Sequence, residues 1–278
     1  MSAFADFFII QTLLLAVVLS VHTYIGLHII RRNIIFSDLS LDQLAALGVI
    51  VGIGMGIEGG SAVSYVVSLI AVTVGAVLLS VLKPKGNGVP REAVIGIIYC
   101  LALVASILVA DKISGGAAYV TQTLSGCMLW VTWPLVWVTV GTYAVLSVVH
   151  FIFRDKVIGI TEGKKIPNEN AWDFMFFFSQ GIITVLIVTI AGVLLAYSFL
   201  MIPAAIGTLF TREWGRGLAI GWTVGFTASI AGLTASYTFR FPYGPSLVLA
   251  LGVSFGLALI LRFILPDTLG GKKGFDHV

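Results

Sequence analysis

Charge is what this sequence has least of. Of its 278 residues only 10% are Asp, Glu, Lys or Arg, while 58% are hydrophobic, against about 25% charged in ordinary soluble domains. A water-soluble chain of this length has no interior large enough to hide so much apolar surface. Cysteine is scarce as well. Cys100 and Cys127 lie inside apolar segments without ligand spacing, which excludes a disulfide framework and reads as two small hydrophobes. Enzyme signatures are missing: there is no phosphate-binding P-loop, no HExxH and no G-x-S-x-G. The one glycine-rich string, "VGIGMG" at 51–56, follows no strand and sits inside an apolar run, so it is not a dinucleotide loop. A basic stripe for nucleic acid is absent too. Period-two alternation of polarity is also lacking, which excludes a transmembrane barrel.

What remains is a series of apolar runs of about 20 residues, the length needed to cross ~30 Å of hydrocarbon. Backbone groups in lipid must be paired within each segment, so the runs are helices. The fold class expected is all-α, a polytopic membrane protein of eight or nine transmembrane helices forming one domain over 1–278. The hydrophobic helices fall at 5–30, 39–57, 62–82, 91–110, 124–150, 173–192, 193–211, 217–237 and 246–264. The sixth and seventh abut near Gly192. The first run has no basic region before it and no cleavage site after it, so it reads as a membrane helix. Aromatic residues, including "DFMFFF" and six tryptophans, suit interfacial belts against membrane lipid.

Fourteen of the 16 basic residues fall in alternate connections or at the C-terminal end, leaving Lys112 and Arg240 for the other side. Positive residues gather on the cytoplasmic face. A multi-pass protein of the cell's inner (cytoplasmic) membrane with a cytoplasmic C-terminus follows, and an odd helix count puts the N-terminus outside. The longest polar stretch, residues 153–174, lies on the basic side. It includes Glu162, Gly163, Lys164, Lys165, Trp172 and Asp173. It reads as a docking loop or as a plain solvated one. Glycines inside the spans, such as Gly48, Gly181, Gly221 and Gly225, favour close helix packing, though a segment that shifts would use them too.

Asp38 and Asp42 stand four residues apart at the start of the second helix, on one face. Two like charges there repel unless a cation or a shared proton lies between them. Gln43 projects about 100° from Asp42 and can add a carbonyl oxygen. A helix-cap role explains Asp38 well and Asp42, a full turn deeper, less well. His22 lies deep in the first helix, and a path-lining and a structural role both remain open for it. His28 and His150 read as interfacial, and Glu58 as a residue of the outer mouth that draws in cations or ends its helix.

Several segments in order resemble the ABC-type metal permeases, the zinc and manganese uptake permeases of the ABC-3 family. These are "YIGLHIIRRNIIFSDLSLDQLAALG", "REAVIGIIYCLALVASILV", "SGCMLWVTW", "EGKKIPNENAWDFMFFFSQGIITV", "IAGVLLAYSFLMIPAAIGTLF" and "ASYTFRFPYGPSLVLALG". The resemblance implies an importer permease for a divalent metal, zinc, manganese or iron, that works as a homodimer. It implies ATP hydrolysis on a separate cytoplasmic ATPase, delivery by an extracytoplasmic metal-binding protein, and no permanently bound cofactor. It makes 153–174 the ATPase-coupling loop and gives Asp38 a metal-lining role. Asp42 holds a position where many members carry histidine, which exchanges an imidazole for a harder oxygen ligand. A non-metal solute on the same scaffold and a proton- or sodium-coupled transporter are the alternatives.

Overall fold

The computed structural model describes residues 3–84, 88–125 and 131–264. Among them the order is α1 (Ala3–Arg32), α2 (Phe36–Gly54), α3 (Ala62–Val81), α4 (Arg91–Asp111), α5 (Gly116–Ser125) and α6 (Trp133–Ile152). Then come α7 (Arg154–Thr161), α8 (Glu169–Ala191), α9 (Val193–Phe210), α10 (Trp214–Phe239) and α11 (Tyr243–Ile264). Among the described residues nine of these helices are long and apolar enough to span a membrane, all but α5 and α7.

Four spans form the interior. In α1, α2, α8 and α9 between 61% and 67% of the apolar window is buried, against 17% to 28% in α4, α6 and α11. The outward faces of those last three, with Leu101, Leu108, Val145, Leu249 and Phe263 exposed, are the surfaces that lipid or another membrane subunit would cover. Two groups of helices result. α2 packs on α3, α4 and α8; α9 packs on α1, α10 and α11. α8 and α9 are joined by Gly192 alone, at φ 76° and ψ 164°, a conformation that glycine adopts without steric cost. The two runs that abut near that residue are therefore two spans joined by a turn.

Small residues set the closeness of the seams. A Cβ on Gly181 of α8 would lie 2.0 Å from Val72 Cγ1 of α3, and one on Gly26 of α1 would lie 2.1 Å from the Leu200 carbonyl oxygen of α9. Pro203, inside α9, is accommodated because Gly221 and Gly225 of α10 face it: their Cβ atoms would stand 2.3 and 2.7 Å from it.

Two expectations from the sequence change. The single helix at 124–150 is replaced by α5 and a span that begins at Trp133. Pro134 sits in the first turn of α6, where its missing N–H costs nothing; residues 126–130, with Cys127, lie outside the described set. The stretch 153–174 is not one loop. It holds α7, whose Val157 is buried, and the first turn of α8. Only 153 and 162–168 are non-helical.

Candidate functional site

The site lies in the seam between α2 and α8. α2 is amphipathic in an unusual sense, since its polar residues are turned inward. Ser37, Asp38, Ser40, Asp42 and Gln43 are all buried, and Asp38 and Asp42 are 2% and 1% exposed. Asp38 Oδ1 accepts a hydrogen bond of 2.9 Å from Gln180 Nε2 of α8. One turn deeper, Thr184 of α8 lies within interaction range of Asp42, but neither Asp42 oxygen makes a well-formed hydrogen bond. Gln180 and Thr184 are themselves four apart, so the two helices present matched rungs.

The polar balance of this seam is one-sided. Asp38 Oδ2, Asp42 Oδ1, Asp42 Oδ2 and Gln180 Oε1 are all buried and have no hydrogen-bond partner. Every one is an acceptor. Buried polar atoms are normally satisfied, and four orphaned oxygens in one place ask for a positive charge or for protons. Tyr143 of α6 and Tyr197 of α9 stand within electrostatic reach of Asp38. Gln43 is buried at 3% exposure but turned about 100° from Asp42.

His22 is not brought into this group. Its Nδ1 lies 3.0 Å from the Val18 carbonyl, one turn back on α1, and its ring stacks on Tyr143 at 5.8 Å. The carbonyl accepts, so Nδ1 carries the proton and the ring is held in place. Among the described residues no three His, Cys, Asp or Glu side chains gather to hold a metal ion. The Asp38–Asp42 pair is thus an open, two-carboxylate face.

The residues expected to couple to an ATPase divide in two. Glu162, Gly163, Lys164 and Lys165 form an exposed turn. There Lys164 Nζ meets Glu162 Oε2 at 2.8 Å, and the Trp214 indole N–H donates to Glu162 Oε1 at 3.4 Å. The hydrogen bonds from Lys164 and Trp214 hold the Glu162 carboxyl below its ordinary range, and the Glu162 partner raises the Lys164 ammonium. Trp172 is half-buried against Phe153. Asp173 departs from the expectation. Its side chain is fully buried, paired with Arg32 of α1, with Lys83 Nζ at 2.6 Å and with Arg91 Nη2 of α4 at 3.2 Å. It is an internal tie between elements, because α8 already begins at Glu169 and turns residue 173 inward. Glu58 is exposed in the turn after α2, at the end of that helix away from Arg31 and Arg32.

The sequence reading did not find Gln180, Thr184 or the ties of Asp173. The i, i+4 spacing of Gln180 and Thr184 on an otherwise apolar helix was the available signal.

The described residues thus form a bundle of membrane-length helices with an acidic pair turned into its interior, the class of polytopic α-helical membrane proteins. The family is defined by sequence. The model of the ABC 3 transport family matches residues 5–262, and the chain belongs to that family. It is 22% identical over 181 residues to a probable metal transport system membrane protein of Chlamydia muridarum, covering 62% of this chain and 60% of that protein. It is 23% identical over 242 residues to the manganese transport system membrane protein MntC of Halalkalibacterium halodurans, covering 84% and 80%. The match thus spans about three fifths of the length of the chlamydial relative. Among solved structures, PsaBC from Streptococcus pneumoniae in complex with Fab matches with a TM-score of 0.71 at 20% identity, over 89% of each chain, which shows the fold.

Proposed function

We propose that this chain is the membrane-spanning permease of an ATP-driven importer for a divalent metal ion, and that Asp38 and Asp42 are the cargo-contacting pair. The observation that carries this is the set of four buried, unpartnered oxygens with no cationic side chain among them. A passing divalent cation satisfies both carboxylates and the Gln180 carbonyl at once. An all-oxygen set favours a harder ion, manganese or ferrous iron, over zinc. The names of the relatives, metal transport and manganese transport proteins, agree with this choice. The lack of a closed coordination sphere suits a transport site, which must release what it binds.

In this reading ATP is hydrolysed on a separate cytoplasmic ATPase. The exposed turn 162–165 and α7 form its docking element, and Asp173 fixes the start of α8 behind them. An extracytoplasmic metal-binding protein delivers the ion at the face that carries Glu58. Two copies of the chain pair in the cytoplasmic membrane, each with its C-terminus in the cytoplasm, the basic side. The whole chain acts as one permease domain and holds no permanent cofactor.

The test combines elemental analysis with growth. Cells lacking the gene are grown in chelated medium, and total zinc, manganese and iron are measured by mass spectrometry with wild type or Asp42→Ala restored. One metal is expected to fall on deletion and to return only with wild type. Full restoration by Asp42→Ala would defeat the assignment of the pair, and no change in any metal would defeat the metal reading. Uptake that persists without an ATPase would favour the proton-coupled alternative, since a shared proton also satisfies orphaned carboxylates.

A further inference from the structure

A second group of unpartnered polar atoms lies nearer the basic end, apart from the acidic pair. Tyr24 and His28 of α1 meet His150 of α6, with ring centroids 4.7 Å apart for Tyr24–His28 and 5.5 Å for Tyr24–His150. Phe176 of α8, one turn from Gln180, closes the group against both histidines at 5.7 and 6.2 Å. His28 is 0% exposed and His150 5%. His28 Nε2, both nitrogens of His150 and the Tyr24 hydroxyl are buried without a hydrogen-bond partner.

The protonation of His28 can be read from its neighbours. The Thr161 hydroxyl donates to the Val157 carbonyl at 2.9 Å, so its proton is committed. His28 Nδ1, 2.7 Å from the Thr161 oxygen, must therefore donate. That leaves the buried Nε2 as a bare lone pair without a partner, the form in which imidazole ligates metals, with the other nitrogen oriented by a hydrogen bond.

We infer that His28 and His150, with the Tyr24 hydroxyl, form a second cation site that takes a divalent transition metal through imidazole nitrogen. Its place as a later station on the route from Asp38 and Asp42 rests on the transport reading; the binding itself does not. The site is a weak one. Arg31 and Arg32 act electrostatically on His28 and oppose a resident cation. Their charge is partly engaged: Arg31 donates to the Arg212 carbonyl oxygen at 2.8 Å and lies over the Trp214 ring at 3.8 Å, a ring that itself packs 4.4 Å from His28, and Arg32 pairs with Asp173. Weak retention suits a stop from which an ion leaves toward the cytoplasm. The acidic pair supplies oxygen and this group nitrogen, so the two sites differ in the ion they hold best.

The experiment uses the full chain, carrying a tag without histidine, in lipid nanodiscs. The sequence has four histidines, at 22, 28, 150 and 277, so nitrogen ligation is assignable. Zinc affinity is measured by competition with a chromophoric chelator, and zinc-edge X-ray absorption counts imidazoles on the wild type loaded with zinc. Two imidazoles are expected. His28→Gln or His150→Gln should remove one and weaken zinc binding about tenfold, while Asp38→Asn with Asp42→Asn and His277→Gln leave the imidazole count unchanged. An all-oxygen shell on the wild type overturns the inference and needs no variant to fold. Imidazole scattering lost on His22→Gln or His277→Gln, but kept in both His28→Gln and His150→Gln, overturns it as well. Loss of uptake in Asp42→Ala with two imidazoles retained would support both sites separately, and intact imidazole ligation with no metal uptake at all would sink the transport reading alone.

Discussion

At Asp42 both carboxylate oxygens are buried without a partner, and Asp38 stands one turn away on the same helix. A carboxylate so placed works against folding, since a buried polar atom without a partner costs about 1–3 kcal/mol and a charged group more, and the uncharged amide of an asparagine avoids the larger cost. Asp42→Asn should therefore raise the melting temperature of the purified chain by a few degrees while metal uptake falls at least tenfold. A lower melting temperature with unchanged uptake would mean that Asp42 is a structural residue. Asp173 gives the opposite sign. It pairs with Arg32, Lys83 and Arg91 from a fully buried position. Removing one partner of a buried ion pair costs about 3–5 kcal/mol, so Asp173→Ala should lower the yield of monodisperse protein sharply. Equal stability of Asp173→Ala and wild type in a thermal melt would overturn that role.

Between elements the decisive contacts are those without side chains. α8 passes α3 at Gly181, where an added methyl would stand 2.0 Å from Val72 Cγ1. Overpacking of this kind costs about 1–3 kcal/mol. It would also push α8, and with it Gln180, away from α2. Gly181→Ala should then lower the melting temperature and uptake together. Gly96 of α4 is the control, since a Cβ there meets nothing within 4 Å, and Gly96→Ala should leave both unchanged. If the two variants behave alike in the melt, the seam is looser than its geometry states. The rim helix α7 matters for a different reason. It carries Thr161, which orients His28, directly into the exposed turn where Glu162 and Lys164 pair, so a partner that moves this turn also moves a ligand of the second site.

For the molecule as a whole, one end concentrates positive charge and the other carries Glu58. Lys164→Cys and Glu58→Cys, each in a Cys100→Ser and Cys127→Ser background, should react with an impermeant maleimide from opposite sides of the membrane, Glu58→Cys in intact spheroplasts and Lys164→Cys only after lysis. Labelling of both from outside would reject the orientation. The Glu162 pairing has a pH sense. Its carboxyl sits below the ordinary value of 4.5 because Lys164 and Trp214 bond to the charged form. The pair is therefore complete above that value and is lost as pH falls through the lowered one. It is exposed, so salt screens it.

The sequence determined the solvent of this protein. Hydropathy and span length act within about 20 residues, so the apolar spans among the described residues and the acidic face of α2 were legible without any contact between segments, except that the span expected from 124 begins at Trp133. The resemblance to the metal permeases was carried by the same local strings. Only the tertiary structure decided who meets whom. Asp38 found Gln180 across 142 positions, His22 found Tyr143 instead of the acidic pair, and Asp173 turned from a docking surface into a buried tie. Such pairings depend on which grooves and glycines let two helices approach, and helical period alone does not encode them. His28 and His150 lie 122 residues apart and each looks like a rim residue in its own helix; both rings meet Tyr24 and Phe176 because α1, α6 and α8 come together there.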